Sequence, residues 1–591
     1  MKEKWFIRNK TPEKPINYQS LGINNLIYKI LINRGIDSQE ALEEFLDPSP
    51  KRFHSPILMK DILKAGNLLS SLRKNQGKLR IIGDYDADGT MATTILMKGL
   101  GQLGFNVDYY IPHRIHDGYG LNKDHVLKAK EDQVDLIITC DNGIAAFEAV
   151  ELARQHGIRV LITDHHNIPK EEDDQGEKRD RVPQADGVIN PKQVACSYPF
   201  KDLSGAAVAY KLVVYLYTIM GHLEDLDPSL LAYAAIATIC DVMPLKGENR
   251  TLVTLGLKRL NQLKIPAVEA IKEASSLRGD IRSGDIGFVI GPTINSAGRL
   301  SDANQVVELF LCEDYTRALD MAKDLRQLNY ERQKLTTQGL EKIEEALKRP
   351  GEKDLPIYLL RHDDLHESIA GIIAGRIKEK YHRPTIVLTK GKDLLKGSGR
   401  SIEAWNMVEE IGKSKKFLQS FGGHAMACGL SLREEDFPSF KRHLLDHATL
   451  KKEDLVPIYR IDQALDLSQT SLDLAQSLSD LGPFGSGNPQ PSFGALNLGL
   501  LKAQILGKNR NVLKIFLTER REVYEAIYFG DSQAFCQELV KAYGQEALES
   551  VFKGRPSPVQ MDIIYSLEEN EFRGKLSLQI KIISYRFTKV W

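Results

Sequence analysis

Three short apolar runs in the first third of the chain each end in carboxylates or imidazoles, and that recurrence limits the fold more than any other feature. Leu79 to Gly83 leads into Asp84, Asp86 and Asp88; Val134 to Thr139 leads into Asp141; Val160 to Thr163 leads into Asp164, His165 and His166. Helical periodicity fills the gaps, over Thr90 to Leu103, Lys123 to Lys130 and Ile144 to His156, with another apolar run at Val107 to Ile111. Strands alternating with amphipathic helices predict a parallel sheet covered on both faces. Ligands bind such sheets at the carboxyl edge of the strands. A single aspartate after a strand reads as a helix cap, because Asp is a favoured N-cap; three such places on one sheet read as a site.

The string Asp-x-Asp-x-Asp-Gly at 84–89 also fits the opening of a calcium loop. That reading fails, because the position needing a bidentate Glu is Ile95 and the preceding segment is a strand. Carboxylate oxygens favour hard cations, and the neighbouring imidazoles suit Mn²⁺, so Mg²⁺ or Mn²⁺ is expected. Asp241 closes an almost wholly apolar helix and needs a partner if buried, for which a metal would serve.

At 591 residues the chain is too long for one ordinary core, and about three to five domains are expected. Lys plus Arg equals Asp plus Glu at 79 each, so a polyanion would have to meet local positive patches, not overall charge. Six scattered cysteines without a Cys-x-x-Cys pair argue against zinc ribbons and disulfide frameworks and suit a reducing cytoplasm. The N-terminus lacks the apolar core of a signal peptide. The most apolar windows, Gly205 to Met220 and Leu230 to Met243, are shorter than a bilayer span, so no membrane association is expected.

Five segments are expected: a helical preamble at 1–75, an α/β domain at 76–302, a long helix within 303–350, a second α/β domain at 351–452, and a barrel of short strands at 457–591. The long helix, read from Asp314 to Lys348, is a stiff connector of roughly 50 Å at about 1.5 Å per residue. Trp5 and Phe6 are expected to pack. Lys170 to Arg181 reads as a solvated loop, GPTINSAGRLSD as a Gly-rich turn carrying Arg299, and GSGRS at 397–401 and FGGHAMACG at 421–429 as glycine-rich strings beside Arg400 and His424. Glycines there let the backbone approach a phosphate. Leu576, Leu578, Ile580 and Ile582 alternate with polar residues, and Glu569 to Glu571 offers a hairpin turn. An OB-type barrel, a common host of single strands, fits this pattern. The absence of a Walker A string argues against ATP-driven unwinding.

Taken together, DYDADG, TCDNG, DHH, CDVMPL and GGHAMACG resemble the DHH phosphoesterase superfamily. IPHR with DGYGL, NSAGRL, GSGRS and LGPFGSGNP are similar to the RecJ family of bacterial single-strand-specific exonucleases within it, in the same order over roughly 50 to 585. The resemblance implies two divalent cations, Mn²⁺ or Mg²⁺, and 5′→3′ degradation of single-stranded DNA to 5′-mononucleotides in repair and recombination. It implies metal binding by Asp86, Asp88, Asp141, His165 and Asp241, with Asp84 and Asp164 as ligands or their supports. His166 would contact the scissile phosphate; Arg299, Ser398 and Arg400 would hold the terminal phosphate. Arg114 and Tyr119 would lie along the strand, and His424 would face the cleft. A monomer, with a helicase and a single-strand-binding protein as partners, is expected. The rival readings are a small-molecule phosphohydrolase and a catalytically silent scaffold.

Overall fold

A computed structural model describes residues 3–12, 15–172, 177–507, 510–572 and 574–588. The chain forms two compact units. The first gathers His54–Met243 and Leu255–Pro457; the second gathers Trp5–Phe53, Pro244–Thr254 and Ile458–Trp591.

In the first unit, β1 (Lys78–Ile82), α1 (Ala87–Gln102), β2 (Asn106–Tyr110), α2 (Lys123–Glu131), β3 (Leu136–Cys140), α3 (Phe147–Gln155), β4 (Arg159–Thr163) and β5 (Gly187–Ile189) alternate as expected. The strands pair in parallel in the order β2-β1-β3-β4-β5. The ends of β1, β3 and β4 are therefore neighbours, which brings Asp84–Asp88, Asp141 and Asp164–His166 to one rim. The apolar helices α4 (Gly205–Ile219) and α5 (Ser229–Cys240) are buried over most of their length, and Asp241 caps the second.

Residues 291–300 are not a turn but a helix, α6 (Gly291–Leu300). Its Gly298 lies against the acidic turn, where a Cβ would come 2.1 Å from the Tyr85 carbonyl oxygen. Close approach, not chain reversal, is the use of that glycine. Within 303–350 a short helix, Asn304–Leu311, precedes the long one, α7 (Tyr315–Leu347), whose N-cap Asp314 accepts from the Arg317 N–H. The first part of α7 meets α6: Ser296 Oγ donates to the Leu325 carbonyl at 3.1 Å. Its later Gly339 leaves room for Ile373 and Leu365.

Those two residues belong to the second α/β layer, a five-stranded sheet. Its strands β6 (Tyr358–Arg361), β7 (Thr385–Lys390), β8 (Leu395–Arg400), β9 (Ser420–His424) and β10 (Ala427–Leu432) run in the order β9-β10-β8-β7-β6, with α8 (Ala370–Tyr381) against it. GSGRS thus forms the end of strand β8 through Arg400. GGHAMACG is the β9–β10 hairpin, with His424 opposite Ala427. The charged run at 170–181 is also structured at its ends: Lys170–Glu172 pairs with Lys178–Asp180, while 173–176 lie outside the described residues.

The second unit holds a barrel of β11 (Phe493–Leu506), β12 (Val512–Glu519), β13 (Glu522–Phe529), β14 (Gln560–Phe572) and β15 (Lys575–Thr588), closed by the β11–β14 pairing. Two helices, α9 (Ser532–Tyr543) and α10 (Gln545–Lys553), connect β13 to β14, so this region carries more helix and longer strands than its sequence suggests. The hairpin turn also falls later than expected. Residues 569–571 continue β14, paired with 576–578, and the chain reverses past Phe572. Ile580 and Ile582 face the core, whereas Leu576 is exposed. Helices Asn25–Asn33 and Gln39–Leu46 share that core through Ile30, Leu31 and Leu42. Phe6 is 53% exposed, against the expectation that it packs, while Trp5 lies beneath the Arg586 guanidinium at 4.4 Å. All six cysteines are free, and among the described residues no helix is long and apolar enough to cross a membrane.

Candidate metal centre

The acidic turn is built from the helix it precedes. Asp86 caps α1, accepting from the N–H groups of Asp88 and Gly89 at 2.9 and 3.1 Å, and Asn295 of α6 accepts from the Ala87 N–H at 2.8 Å. Asp88 lies inside the first turn and accepts from Gly205 and Ala206 N–H groups at 2.7 and 2.8 Å, at the start of α4. Asp141 has φ +62°, a left-handed conformation that Asp tolerates better than most residues. Beside it, Asn142 donates to the carbonyls of Ile82, Gly83 and Cys140, tying β1 to β3.

Three ligand groups result, each with its donor atoms within 4.8 Å of one another: Asp84, Asp86 and Asp141; Asp88, His165 and Asp241; Asp141, His165 and His166. His165 Nε2 lies 3.1 Å from Asp141 Oδ1 and 3.6 Å from both Asp88 Oδ2 and Asp241 Oδ2. His166 Nδ1 is held at 2.8 Å by Asp164 Oδ1, and its backbone carbonyl accepts from Asn190. The Tyr119 hydroxyl donates to the Asp141 carbonyl at 2.7 Å and lies 3.4 Å from the His166 ring.

So many buried anions repel one another. Burial, reinforced by the Asp86 charge, pushes Asp88 up to about 6 and Asp84 well above the usual carboxylate range. Burial and the charges of Asp88 and Asp86 raise Asp241 to about 8, and the same causes lift Asp141 strongly. Asp164 is the exception: burial opposes its charge, but the His166 hydrogen bond and nearby imidazole charge outweigh it and hold the group at about 2. His166 answers with a pKa near 9, where Asp164 overcomes burial; burial and the His166 charge lower His165 to about 3 and leave it a neutral ligand.

Buried Asp84 Oδ1 and Asp141 Oδ1 accept no hydrogen bond among the described residues. Unpaired carboxylate oxygens at this density are costly in a protein interior. Hard divalent cations satisfy them, and the oxygen-rich set with one or two imidazoles fits Mg²⁺ and Mn²⁺.

Arg114, Arg299 and Arg400 form a second group. Arg114 lies 4.8 Å over the Tyr85 ring, Arg299 donates to the Ser368 carbonyl at 2.7 Å, and Arg400 donates to Ser398 Oγ at 3.1 Å. Burial and mutual repulsion, chiefly from Arg114, lower Arg299 to about 10 and also lower Arg400. His424 is exposed at the β9 end, where its Nδ1 lies 3.2 Å from Asn167 Nδ2. Sequence reasoning missed the asparagines that hold the site, Asn142, Asn190 and Asn295, though Asn142 and Asn295 stand inside the motif strings TCDNG and NSAGRL.

Comparisons with known proteins agree with this geometry. The family models DHH family, N-terminal domain (78–238), DHHA1 domain (354–448) and RecJ OB domain (461–584) match in series. The single-stranded-DNA-specific exonuclease RecJ of Bacillus subtilis is 33% identical over 538 residues, covering 90% of this chain and 66% of that relative. Its counterpart from Haemophilus influenzae is 34% identical over 596 residues, covering 97% of this chain and 98% of the relative. The chain belongs to the RecJ family. The crystal structure of RecJ from Thermus thermophilus in complex with Mn²⁺ superposes with a TM-score of 0.79 at 26% identity, covering 100% of this chain and 80% of that one; its Mg²⁺ complex gives 0.73 at 25%, covering 100% and 79%. Family membership and the donor set together assign divalent cations, Mn²⁺ or Mg²⁺, as the cofactors.

Proposed function

We propose that the chain is a single-strand-specific DNA exonuclease that works from the 5′ end, releases 5′-mononucleotides and serves repair and recombination. The coarser statement, a metal-dependent nuclease, follows from the family. The observation that carries the finer reading is the adjacency of two opposite charge fields: a largely buried anionic cluster for cations and a half-buried arginine group for a terminal phosphate. Arg114 acts on Asp84 and Arg299 alike, so the two fields are neighbours.

Asp84, Asp86 and Asp141 would hold one cation, and Asp88, His165 and Asp241 the other, with Asp141 shared. Cations held there would supply water activation and charge neutralisation on the phosphoryl group. The chain's own residues do the rest. Asp164 fixes His166 in a charged orientation, from which its exposed edge can stabilise a non-bridging oxygen or give a proton to the leaving 3′ oxygen. Arg299, Ser398 and Arg400 receive the 5′ phosphate, which sets the cut one nucleotide from the end. Arg114, Tyr119 and His424 line the approach of the strand.

The barrel adds a binding surface of its own. Phe529, 55% exposed, has Lys581 Nζ 5.7 Å over its ring, and Phe516 has Lys502 and Lys514 at 5.8 and 5.5 Å. Aromatic rings beside cations suit bases and backbone of a single strand.

The test is digestion with Mn²⁺ of a strand labelled separately at each end. A 5′ label should leave at once as a mononucleotide and a 3′ label only at the end. Early loss of the 3′ label, or internal fragments, would overturn the reading.

A further inference from the structure

The loop after β5 carries a lysine that none of the roles above uses. Asn190 donates to the His166 carbonyl at 2.9 Å and accepts from the Lys192 N–H at 2.9 Å, so one side chain ties the main chain of Lys192 to that of His166. Gln193 donates to the Val188 carbonyl at 2.7 Å and accepts from Lys60 Nζ at 2.8 Å, fixing the far side of the same loop. The half-buried Lys192 ammonium makes no hydrogen bond or ion pair among the described residues.

Its charge nevertheless reaches His165, Asp241 and His424. The arginine group is placed differently: the leading charges on Arg299 are those of Arg114 and Arg332, and on Arg400 that of Arg114. The metal centre is thus flanked by cations on two sides, the arginines by Asp84 and Asp86, and Lys192, tied through Asn190 to His166, by His165 and Asp241. An unpaired cation on a rigid loop beside a nuclease centre is suited to an anion that arrives with the substrate.

Resting on the exonuclease reading, we propose that Lys192 binds the phosphodiester one nucleotide to the 3′ side of the scissile one. The arginines would take the 5′ phosphate, the metal centre the scissile phosphate, and Lys192 the next in line. A dinucleotide bearing a 5′ phosphate lacks that third phosphate; a trinucleotide has it. Lys192 would therefore favour strands over dinucleotides, acting as a positioning residue for the leaving strand.

The test compares wild type, Lys192→Gln and Lys192→Arg in Mn²⁺ on 5′-phosphorylated thymidine di- and trinucleotides. In Lys192→Gln, kcat/KM for the trinucleotide should fall about tenfold further than for the dinucleotide, and arginine should restore most of the difference. Equal losses on both substrates, or none, would overturn the assignment. If the glutamine variant does not fold, wild type is given a trinucleotide whose second linkage is an uncharged methylphosphonate. A loss of about tenfold is expected, and undiminished turnover overturns the proposal. A wild-type chain that released no mononucleotide from either natural substrate would instead sink the exonuclease reading itself.

Discussion

His166 Nδ1 stands 2.8 Å from Asp164 Oδ1, and that carboxylate is itself fixed by the main-chain N–H groups of Ile144, His165 and His166. Here a carboxylate stays more acidic than usual despite its burial, because its partner is an imidazolium and not another anion. Asp164→Asn would leave the hydrogen-bonding shape and remove the charge. We expect kcat to fall by roughly 10²-fold, with strand affinity changed only a few-fold, as measured by single-turnover cleavage and by binding in Ca²⁺. Unchanged kcat would remove His166 from the chemistry.

Asp141 is buried, left-handed in conformation and repelled by four other carboxylates. Asn also tolerates that backbone. Asp141→Asn should abolish cleavage and yet raise the unfolding temperature of the cation-free protein by a few degrees, since the cost of burying an ionisable carboxyl among other carboxylates is removed. Calorimetry in chelator checks this; a lower midpoint would contradict it.

The raised acids give a pH dependence with a definite sign. Without cations, folded Asp88 and Asp241 keep protons up to about 6 and 8, whereas unfolded carboxyls lose theirs near 3.9. The folded state therefore binds more protons across that window, and stability falls as pH rises from about 4 to 8. In chelator the unfolding temperature should be higher at pH 5.5 than at pH 8, the gap should narrow in Asp241→Asn, and Mn²⁺ should reverse it. Cation binding at pH 7 should also release protons, measurable by calorimetry in buffers of different ionisation enthalpy.

Gly298 offers a steric test. A methyl there would meet the Tyr85 carbonyl at 2.1 Å and push the acidic turn out of place. Gly298→Ala should cost about 1–3 kcal/mol of stability and lower cleavage on every substrate, long or short. Wild-type rates would show that the turn tolerates displacement.

Removing everything after residue 456 is a poor test of the barrel, because helices Asn25–Asn33 and Gln39–Leu46 share its core. Surface changes are cleaner. Phe529→Ala with Lys581→Ala should weaken binding of long single strands by about 1–3 kcal/mol and hardly alter hydrolysis of dinucleotides. Equal effects on both, in parallel titrations and rate measurements, would count against a strand-binding role for this face.

The acidic rim was legible in the sequence because its residues follow their strands directly: Asp84, Asp141 and Asp164 each stand one or two positions past a strand end. What misled was glycine. GPTINSAGRLSD read as a turn because glycine favours reversals, but Gly298 sits in a helix to let Tyr85 approach; likewise Gly397 of GSGRS sits in β8, where a Cβ would meet Leu388 at 2.7 Å. The polar Glu569 to Glu571 read as a turn for a similar reason, whereas solvated residues can extend an exposed strand. Nor could spacing show that Arg114, Arg299 and Arg400 converge, since that depends on how α6 and β8 pack and not on any local pattern.

The central claim is that carboxylates far apart in sequence form one site for two cations. Crystals grown with Mn²⁺ and measured at the manganese edge test it most directly. Two anomalous peaks should lie among Asp84, Asp86, Asp88, Asp141, His165 and Asp241, the two sharing Asp141; a chain saturated with Mn²⁺ that showed no peak there would contradict the account.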